Sequence, residues 1–549
     1  MSKHRLSPAP LPPPKKIHLV EEPATSSSSS QSAFDSLSDE LILCIFARLS
    51  FSDLCACQAT SSNWYRLATD NELWRNLYLK TFGRPRLRGA RGFVGRTDGR
   101  EIKSLPGRAK AEDLKDWKWM FRISSNWKTG RCAMEDLRPL AEEPSTSEAP
   151  KQSHMLLAGP LTITATTESS LSPSIYLQNV VGEEHTLICP TEQTSHITAL
   201  ALDQSAPSPG HIRFASFLSS GDFRIFSVNH IHPTSSTSEL SYTPSRRSHR
   251  VCPILRAAYH HPLLITLSEA FTLSTYDLSS GSAVLIQTLH SFTSFPPTSL
   301  VLSTTATATY KLVLAYAIPV YPAHWSVGAT EVIIAGLPRK SELPHSSSLL
   351  APGHAALTII STRTTRALDV PQGWVDEKKL SLMREQWSRK VSRVADTQTD
   401  GKFVVLAPED PGSGTSSSSS SDLTKSSHAS SFYSPTNLQL YRLSLPSSTT
   451  ISTSTPRLTF VRTLHGQLGP VAALALSDGR CVSFGVNGSI WVWDLESIAG
   501  TEVATVAAHR DHSFNDALKL ADAKRSVMFD ERRIVTAVNE RVIERRFDI

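Results

Sequence analysis

Cysteine, histidine and acidic side chains are where chemistry would first be sought, and in this chain their spacing assembles no catalytic centre. Cys55 and Cys57 stand too close together for a zinc knuckle and fall in a helical stretch. His230 with His232, and His260 with His261, lie in strand or turn segments. No cysteine or carboxylate neighbours them at metal-ligand spacing, so they read as surface or turn histidines. Cys132 follows Arg131, a cation able to lower a thiol pKa. Nothing around it supplies the further context of a ligase's catalytic cysteine. Gly-x-Gly-x-x-Gly and Walker-type phosphate loops are absent, as is a Gly-x-Ser-x-Gly nucleophile elbow. The expectation is a chain without catalytic residues, cofactor or metal.

Charge offers one further possibility. Between Arg84 and Lys110 nine basic residues meet only Asp98 and Glu101. Such a run could grip phosphates, on nucleic acid or on a phosphorylated protein. Aromatic interleaving is limited to Phe93, which favours a solvated loop. The net charge of +6 over 549 residues is modest and does not demand nucleic acid. Seven scattered cysteines without a disulfide framework, and an N-terminus lacking an apolar signal region, lead to an expectation of cytoplasm and/or nucleus. No run of ~18 apolar residues suggests a membrane span.

With no site declaring itself, the elements carry the argument. The length exceeds what one core supports. Residues 1–33 are rich in Pro, Lys and Ser, and are expected to form a disordered tail. From Leu37 the apolar positions Leu37, Leu41, Ile45 and Leu49 recur every four residues, and Ile42 and Phe46 widen the stripe into an amphipathic helix. Ser36 with Asp39 suggests a capping box for it, and Ser52 with Asp53 a cap for a second short helix. A third helix is expected from Ser61, and a fourth from Asp70 and Asn71, ending at Gly83.

This module, residues 34–83, resembles the F-box. The residues that carry the likeness are Leu37-Ser38-Asp39-Glu40-Leu41, Ile45-Phe46, Leu49, Asp53-Leu54, Trp64 and Leu73-Trp74, in the family's order and spacing. Ser38 departs from it, standing where the family usually has proline. The resemblance implies docking to a Skp-family linker protein through Leu37, Ser38, Glu40, Leu41, Ile45, Phe46, Leu49, Leu54 and Trp64, and through that linker to a cullin. Which of these face the partner and which the module's own core is not decided by their order.

Residues 84–136 read as a basic linker with connecting helices, and 137–153 as a flexible linker. From 154 to 549 short runs of Val, Ile, Leu, Thr and aromatics alternate with Gly and Asp turns, an all-β pattern. Ser/Thr-rich inserts, above all 409–436, interrupt it, and 377–394 reads as an inserted helix. The run from Leu464 through Ile490-Trp491-Val492-Trp493-Asp494 resembles a WD repeat. Gln467 replaces its histidine and Asn487 its turn aspartate, so the polar network around Ser483, Trp493 and Asp494 is expected to be incomplete. Phe226, Tyr276 and Phe547 stand where other repeats would carry tryptophan. About 395 residues, less ~100 in inserts, fit about seven blades of ~40 residues. The fold expected is therefore multidomain, a helical F-box followed by an all-β, degenerate WD-repeat-like β-propeller, with a strand near Met155 closing the ring. Asn126-Trp127-Lys128-Thr129-Gly130 resembles a segment found before the propeller of F-box/WD-repeat proteins, where Trp127 would be domain-joining.

The chain is accordingly identified as a member of the F-box/WD-repeat family. That implies a non-catalytic adaptor of a Skp–cullin–F-box ubiquitin ligase, whose propeller binds a protein substrate. Alternatives are a Skp-bound scaffold outside a ligase, or a propeller scaffold that binds nucleic acid or chromatin through the basic linker.

Overall fold

The computed structural model describes residues 37–83, 116–138, 153–179, 182–205, 211–229, 232–244, 252–291, 295–306, 309–320, 324–337, 356–367, 376–389, 391–409, 437–446, 456–505, 524–539 and 541–549. The tail 1–33, the basic run Arg84–Lys110 and almost all of the 409–436 insert lie outside the described residues. By contacts the chain divides into two compact units, Met1–Leu73 and Trp74–Ile549.

The first unit holds α1 (Asp39–Phe46), α2 (Phe51–Cys57), α3 (Ser62–Ala68) and the start of α4 (Asn71–Tyr78). Ser38, not Ser36, is the N-cap of α1, and its hydroxyl makes no capping bond. Its φ of −69° is the value a proline ring imposes, so the departure from the family pattern leaves the backbone path unchanged. The cap of α2 is Ser50, with Asp53 completing a reciprocal capping box; Ser52 lies inside the helix. Ser61 caps α3, and Asp70 accepts the Leu73 N–H at 2.9 Å at the head of α4.

The second unit is a propeller. Among the described residues seven four-stranded antiparallel sheets occur. The chain first lays down β1 (Ala133–Arg138), then four strands for each of six blades. Blade 1 is β2 (Ser153–Ala158), β3 (Leu161–Thr166), β4 (Ser174–Asn179) and β5 (Glu184–Ile188). Blade 2 is β6 (Ile197–Leu202), β7 (His211–Leu218), β8 (Phe223–Asn229) and β9 (Thr237–Tyr242). Blade 3 is β10 (Ile254–His260), β11 (Leu263–Ser268), β12 (Thr272–Asp277) and β13 (Val284–His290). Blade 4 is β14 (Phe295–Ala306), β15 (Thr309–Val320), β16 (His324–Leu337) and β17 (Ala356–Arg366). Blade 5 is β18 (Val394–Thr399), β19 (Phe403–Pro408), β20 (Leu438–Ser444) and β21 (Arg457–Leu464). Blade 6 is β22 (Val471–Ser477), β23 (Arg480–Gly485), β24 (Ile490–Asp494) and β25 (Ala499–Ala504). Blade 7 takes β26 (Arg525–Phe529), β27 (Arg533–Val538) and β28 (Arg541–Arg546), with β1 as its fourth strand.

The first strand of each blade packs on the first strand of the next, and β26 returns to β2, so the ring is closed. The closing strand is β1, paired antiparallel with β28, and not the strand at Met155, which is the inner strand of blade 1. The propeller thus begins upstream of residue 154, inside the stretch read as connecting helices and linker. Closure leaves each blade with only two edges, one at the channel and one at the circumference. Hydrophobic clusters sit between neighbouring blades, such as Leu177, Phe214 and Phe226 between blades 1 and 2. Leu406, Val404 and Val313 fill the space between blades 4 and 5 in the same way. Arg533, buried, binds blade 7 to blade 1: its guanidinium donates to Gly159 O at 2.8 Å and Thr162 Oγ1 at 3.0 Å while pairing with Glu544 at 3.0 Å. The expected inserted helix is α6 (Glu377–Ser388), ahead of blade 5.

Candidate functional site

The helical unit sorts its apolar residues into two sets. Ile42 and Phe46 on α1, Leu54 on α2, and Leu67 and Ala68 on α3 are buried, and the Phe46 ring meets Trp64 edge-on at 5.5 Å. The four-residue stripe seen in the sequence points elsewhere: Leu41 is 54% exposed and Ile45 46%, while Leu37 and Leu49 are half-buried. Phe51 and Tyr65 are also exposed. Of the residues assigned to linker docking, Phe46 and Leu54 therefore belong to the unit's own core, and Trp64 is half-buried against Phe46. Ser38, Glu40, Leu41 and Ile45 are open to solvent. Arg66 on α3 pairs with Asp39 on α1 at 2.6 Å, but on an exposed surface such a pair contributes little.

In the second unit, α5 (Trp117–Thr129) carries the predicted domain-joining tryptophan. Trp127 is 3% exposed, lies flat on Phe547 with ring centroids 3.9 Å apart, and donates Nε1–H to Glu531 O at 2.9 Å. The Arg480 guanidinium covers it at 4.3 Å. Asn126 donates to Phe547 O at 2.8 Å, so the Asn-Trp pair grips the C-terminal strand end of blade 7. Trp127 joins α5 to blades 6 and 7. At the other end, Trp74 and Phe82 pack on Phe121, and Tyr78 on Trp117.

Blade 6 corrects one expectation. Its polar network is complete, because Gln467 substitutes for the missing histidine. Trp493 Nε1–H donates to Ser483 Oγ at 2.9 Å, and the Ser483 hydroxyl donates in turn to Gln467 Oε1. Gln467 Nε2 reaches Ser489 Oγ at 3.4 Å, and Ser489 donates to Asn487 Oδ1 at 2.7 Å. Asp494 accepts the backbone N–H groups of Glu496 and Ser497, which fixes the turn after its strand. These residues hold the blade together.

The chemistry-bearing residues stay apart. Cys132 departs from expectation: burial raises its thiol pKa, and the nearby Arg545 opposes this only in part. His232, in the described part of the first histidine pair, donates its backbone N–H to Asn229, and the His261 N–H goes to Asp203. His230 lies outside the described residues. Among the described residues no group of three or more His, Cys, Asp or Glu could hold a metal ion. No described helix is long and apolar enough to cross a membrane.

Sequence reasoning passed over a second structural device. Asp203 and Asp400 end the inner strands of blades 2 and 5, and each accepts a backbone N–H from the next blade, at His261 (3.0 Å) and Gly479 (2.8 Å). An aspartate closing an inner strand just before a turn is the signal that would have found them.

Residues 34–80 match the F-box-like family, and residues 179–533 match the family described as the F-box protein pof12 beta-propeller. No curated protein matches the chain. Among solved structures, the computationally designed Ika8 protein is similar at 10% identity over 72% of this chain and 95% of that one, with a TM-score of 0.32. The family match spans more than half of the chain, running from the end of β4 in blade 1 to the start of β27 in blade 7, and follows in sequence a helical unit that matches the F-box. The chain belongs to the family of F-box proteins with the pof12-type β-propeller.

Proposed function

We propose that the chain is a substrate-recruiting adaptor of a Skp–cullin–F-box ubiquitin ligase, non-catalytic itself. The helical unit docks on a Skp-family linker and through it on a cullin. The propeller holds a target protein, so that ubiquitin transfer is accelerated by raised local concentration and not by new chemistry. The observation that carries this reading is the split on α1: Ile42 and Phe46 fill the core, yet Leu41 and Ile45 stay about half exposed. A unit of about 40 residues that leaves such side chains in water is suited to bury them on a partner, read through i, i+4 anchors.

The test is co-expression of the full chain with a Skp-family linker, alongside Leu41→Asp/Ile45→Asp. Both positions are exposed, so the variant keeps the fold and places carboxylates only in the interface, where burying them costs several kcal/mol. Wild type should co-purify with the linker and the variant should lose at least tenfold of it. Equal capture by both, or no capture by wild type, would reject the docking surface. If the linker binds but captured proteins are never ubiquitinated in the presence of cullin and conjugating enzyme, the scaffold alternative takes its place.

A further inference from the structure

On the circumference of the ring, between blades 5 and 6, lies a groove of about 570 Å3. One wall is the outer strand β21, which contributes the five consecutive residues 460–464, followed by His465. Among the described residues β21 pairs with β20 alone, so its outer edge carries backbone donors and acceptors free for pairing. Six residues of extended chain span about 20 Å, the scale of a peptide segment and more than a small anion needs.

The floor is aromatic. Trp491 and Trp493 lie nearly parallel with ring centroids 5.3 Å apart. Two glycines let them lie flat: a Cβ on Gly466 would stand 2.7 Å from the Trp491 ring, and one on Gly500 would stand 2.5 Å from Trp493. The Trp493 N–H is engaged by Ser483. The Trp491 N–H is buried and has no acceptor among the described residues.

The charge has one sign. Arg389 and Arg462 line the groove, and none of the lining residues is acidic. Arg389 lies 3.5 Å over the Phe460 ring, held from α6 by Glu385 at 2.7 Å, while Arg462 is exposed on β21 itself.

We propose that this groove binds an extended, acidic peptide segment of a partner protein, which adds to β21 as a fifth strand of blade 5. Backbone pairing along β21 supplies affinity, the half-exposed Trp491 indole receives an apolar side chain, and Arg462 and Arg389 select carboxylates. This deepens the target-binding half of the function proposed above and rests on it for its biological meaning. The experiment uses no linker protein, so failure here and failure of linker docking are read separately.

The probe is a fluorescein-labelled nine-residue peptide alternating Glu and Val, titrated with the full chain and followed by anisotropy. Saturable binding that weakens severalfold as salt is raised is expected, because exposed charges are screened. A Lys/Val peptide, and a Glu peptide with proline at alternate positions, should bind at least tenfold more weakly. Arg462→Glu, checked for an unchanged melting temperature, should cost tenfold or more, and Trp491→Phe severalfold. Hydrogen exchange should slow at residues 460–465 when the Glu/Val peptide is added. Absence of saturable binding, equal binding by the Lys/Val peptide or by Arg462→Glu, or protection elsewhere on the ring would each overturn the proposal. So would a concentration-dependent dimer abolished by Arg462→Glu, since the occupant would then be a second copy of the chain.

Discussion

Gln467 shows how one side chain keeps a network that its replacement seemed to break. The Ser483 hydroxyl, buried between blades, must find an acceptor while its oxygen receives the Trp493 N–H, and an amide oxygen meets that need as an imidazole nitrogen would. Its other end donates to Ser489. Gln467→Leu removes both functions from a buried site, and leaving such groups unsatisfied costs about 1–3 kcal/mol. Gln467→His retains one acceptor and one donor and should cost less. Denaturant unfolding followed by tryptophan fluorescence checks the order, and a leucine variant as stable as wild type would show that the relay contributes nothing. The substitution itself was legible in the sequence, but its compensation was not. Ser489 and Asn487 become partners only once β24 is in register with β23, a fact of pairing and not of composition. The same limit applied to α1, where a four-residue stripe and its flanks are equally apolar. Only their burial, with the Phe46 ring against Trp64, shows that Ile42 and Phe46 face inward.

At the scale of the element, two buried titrating groups pull stability in opposite directions. Glu531, in the turn between β26 and β27 beneath Trp127, is pushed up from 4.5 to about 7 by burial and by Asp478 and Asp530, against the pull of Arg480 and Arg532. A raised carboxyl favours the folded state when protonated, so its contribution is full below pH 4.5 and is lost as pH rises through about 7. His154, on the inner strand β2, is pushed down from 6.5 to about 4 by burial and by Arg256, His196 and Lys524. Its contribution is full above pH 6.5 and is lost as pH falls towards 4. Between pH 4.5 and 6.5 the two oppose each other. Glu531→Gln mimics the protonated acid at every pH, so its melting temperature should exceed that of wild type by a margin that grows from pH 4.5 to 7.5. A constant margin across that range would remove Glu531 from the account. Elements also explain which strands the sequence revealed. The second strand of a blade is sandwiched between its neighbours and is buried almost from end to end, with a mostly apolar sequence, as in β11, β19 and β27. Those runs, and the third strands beside them, stand out in the sequence. Outer strands such as β9 (Thr237–Tyr242) are more exposed and broken by polar residues, and β1, β5, β13, β21 and β25 likewise stand out less in the sequence. Four of the seven inner strands, β10, β14, β18 and β26, stand out less too, because polar residues interrupt their apolar signal.

The whole molecule depends on a strand that precedes the ring in sequence. β1 completes blade 7 by pairing with β28 across some 400 residues of chain, and Arg541 on β28 pairs with Asp136 on β1 at 2.9 Å. Without β1, blade 7 would present the open edge of β28, a template for pairing with another chain. A propeller has no second core to absorb such a loss, since each blade is stabilised by its two neighbours and the ring by its closure. Trp127 adds to the same joint by stacking on Phe547 just beyond β28. These contacts predict a sharp boundary for truncation. A chain lacking residues 1–115 keeps α5 and β1 and should remain monomeric, with a melting temperature close to that of the full chain. A chain lacking residues 1–138 loses both, and should melt lower and self-associate in light scattering through the exposed β28 edge. If the shorter chain were monomeric and equally stable, closure by β1 would be dispensable, and the propeller would begin where the sequence first suggested, near residue 154. If removal of 1–115 alone caused aggregation, the joint would need the residues ahead of α5, and Trp74 and Phe82 against Phe121 would become the contacts to test.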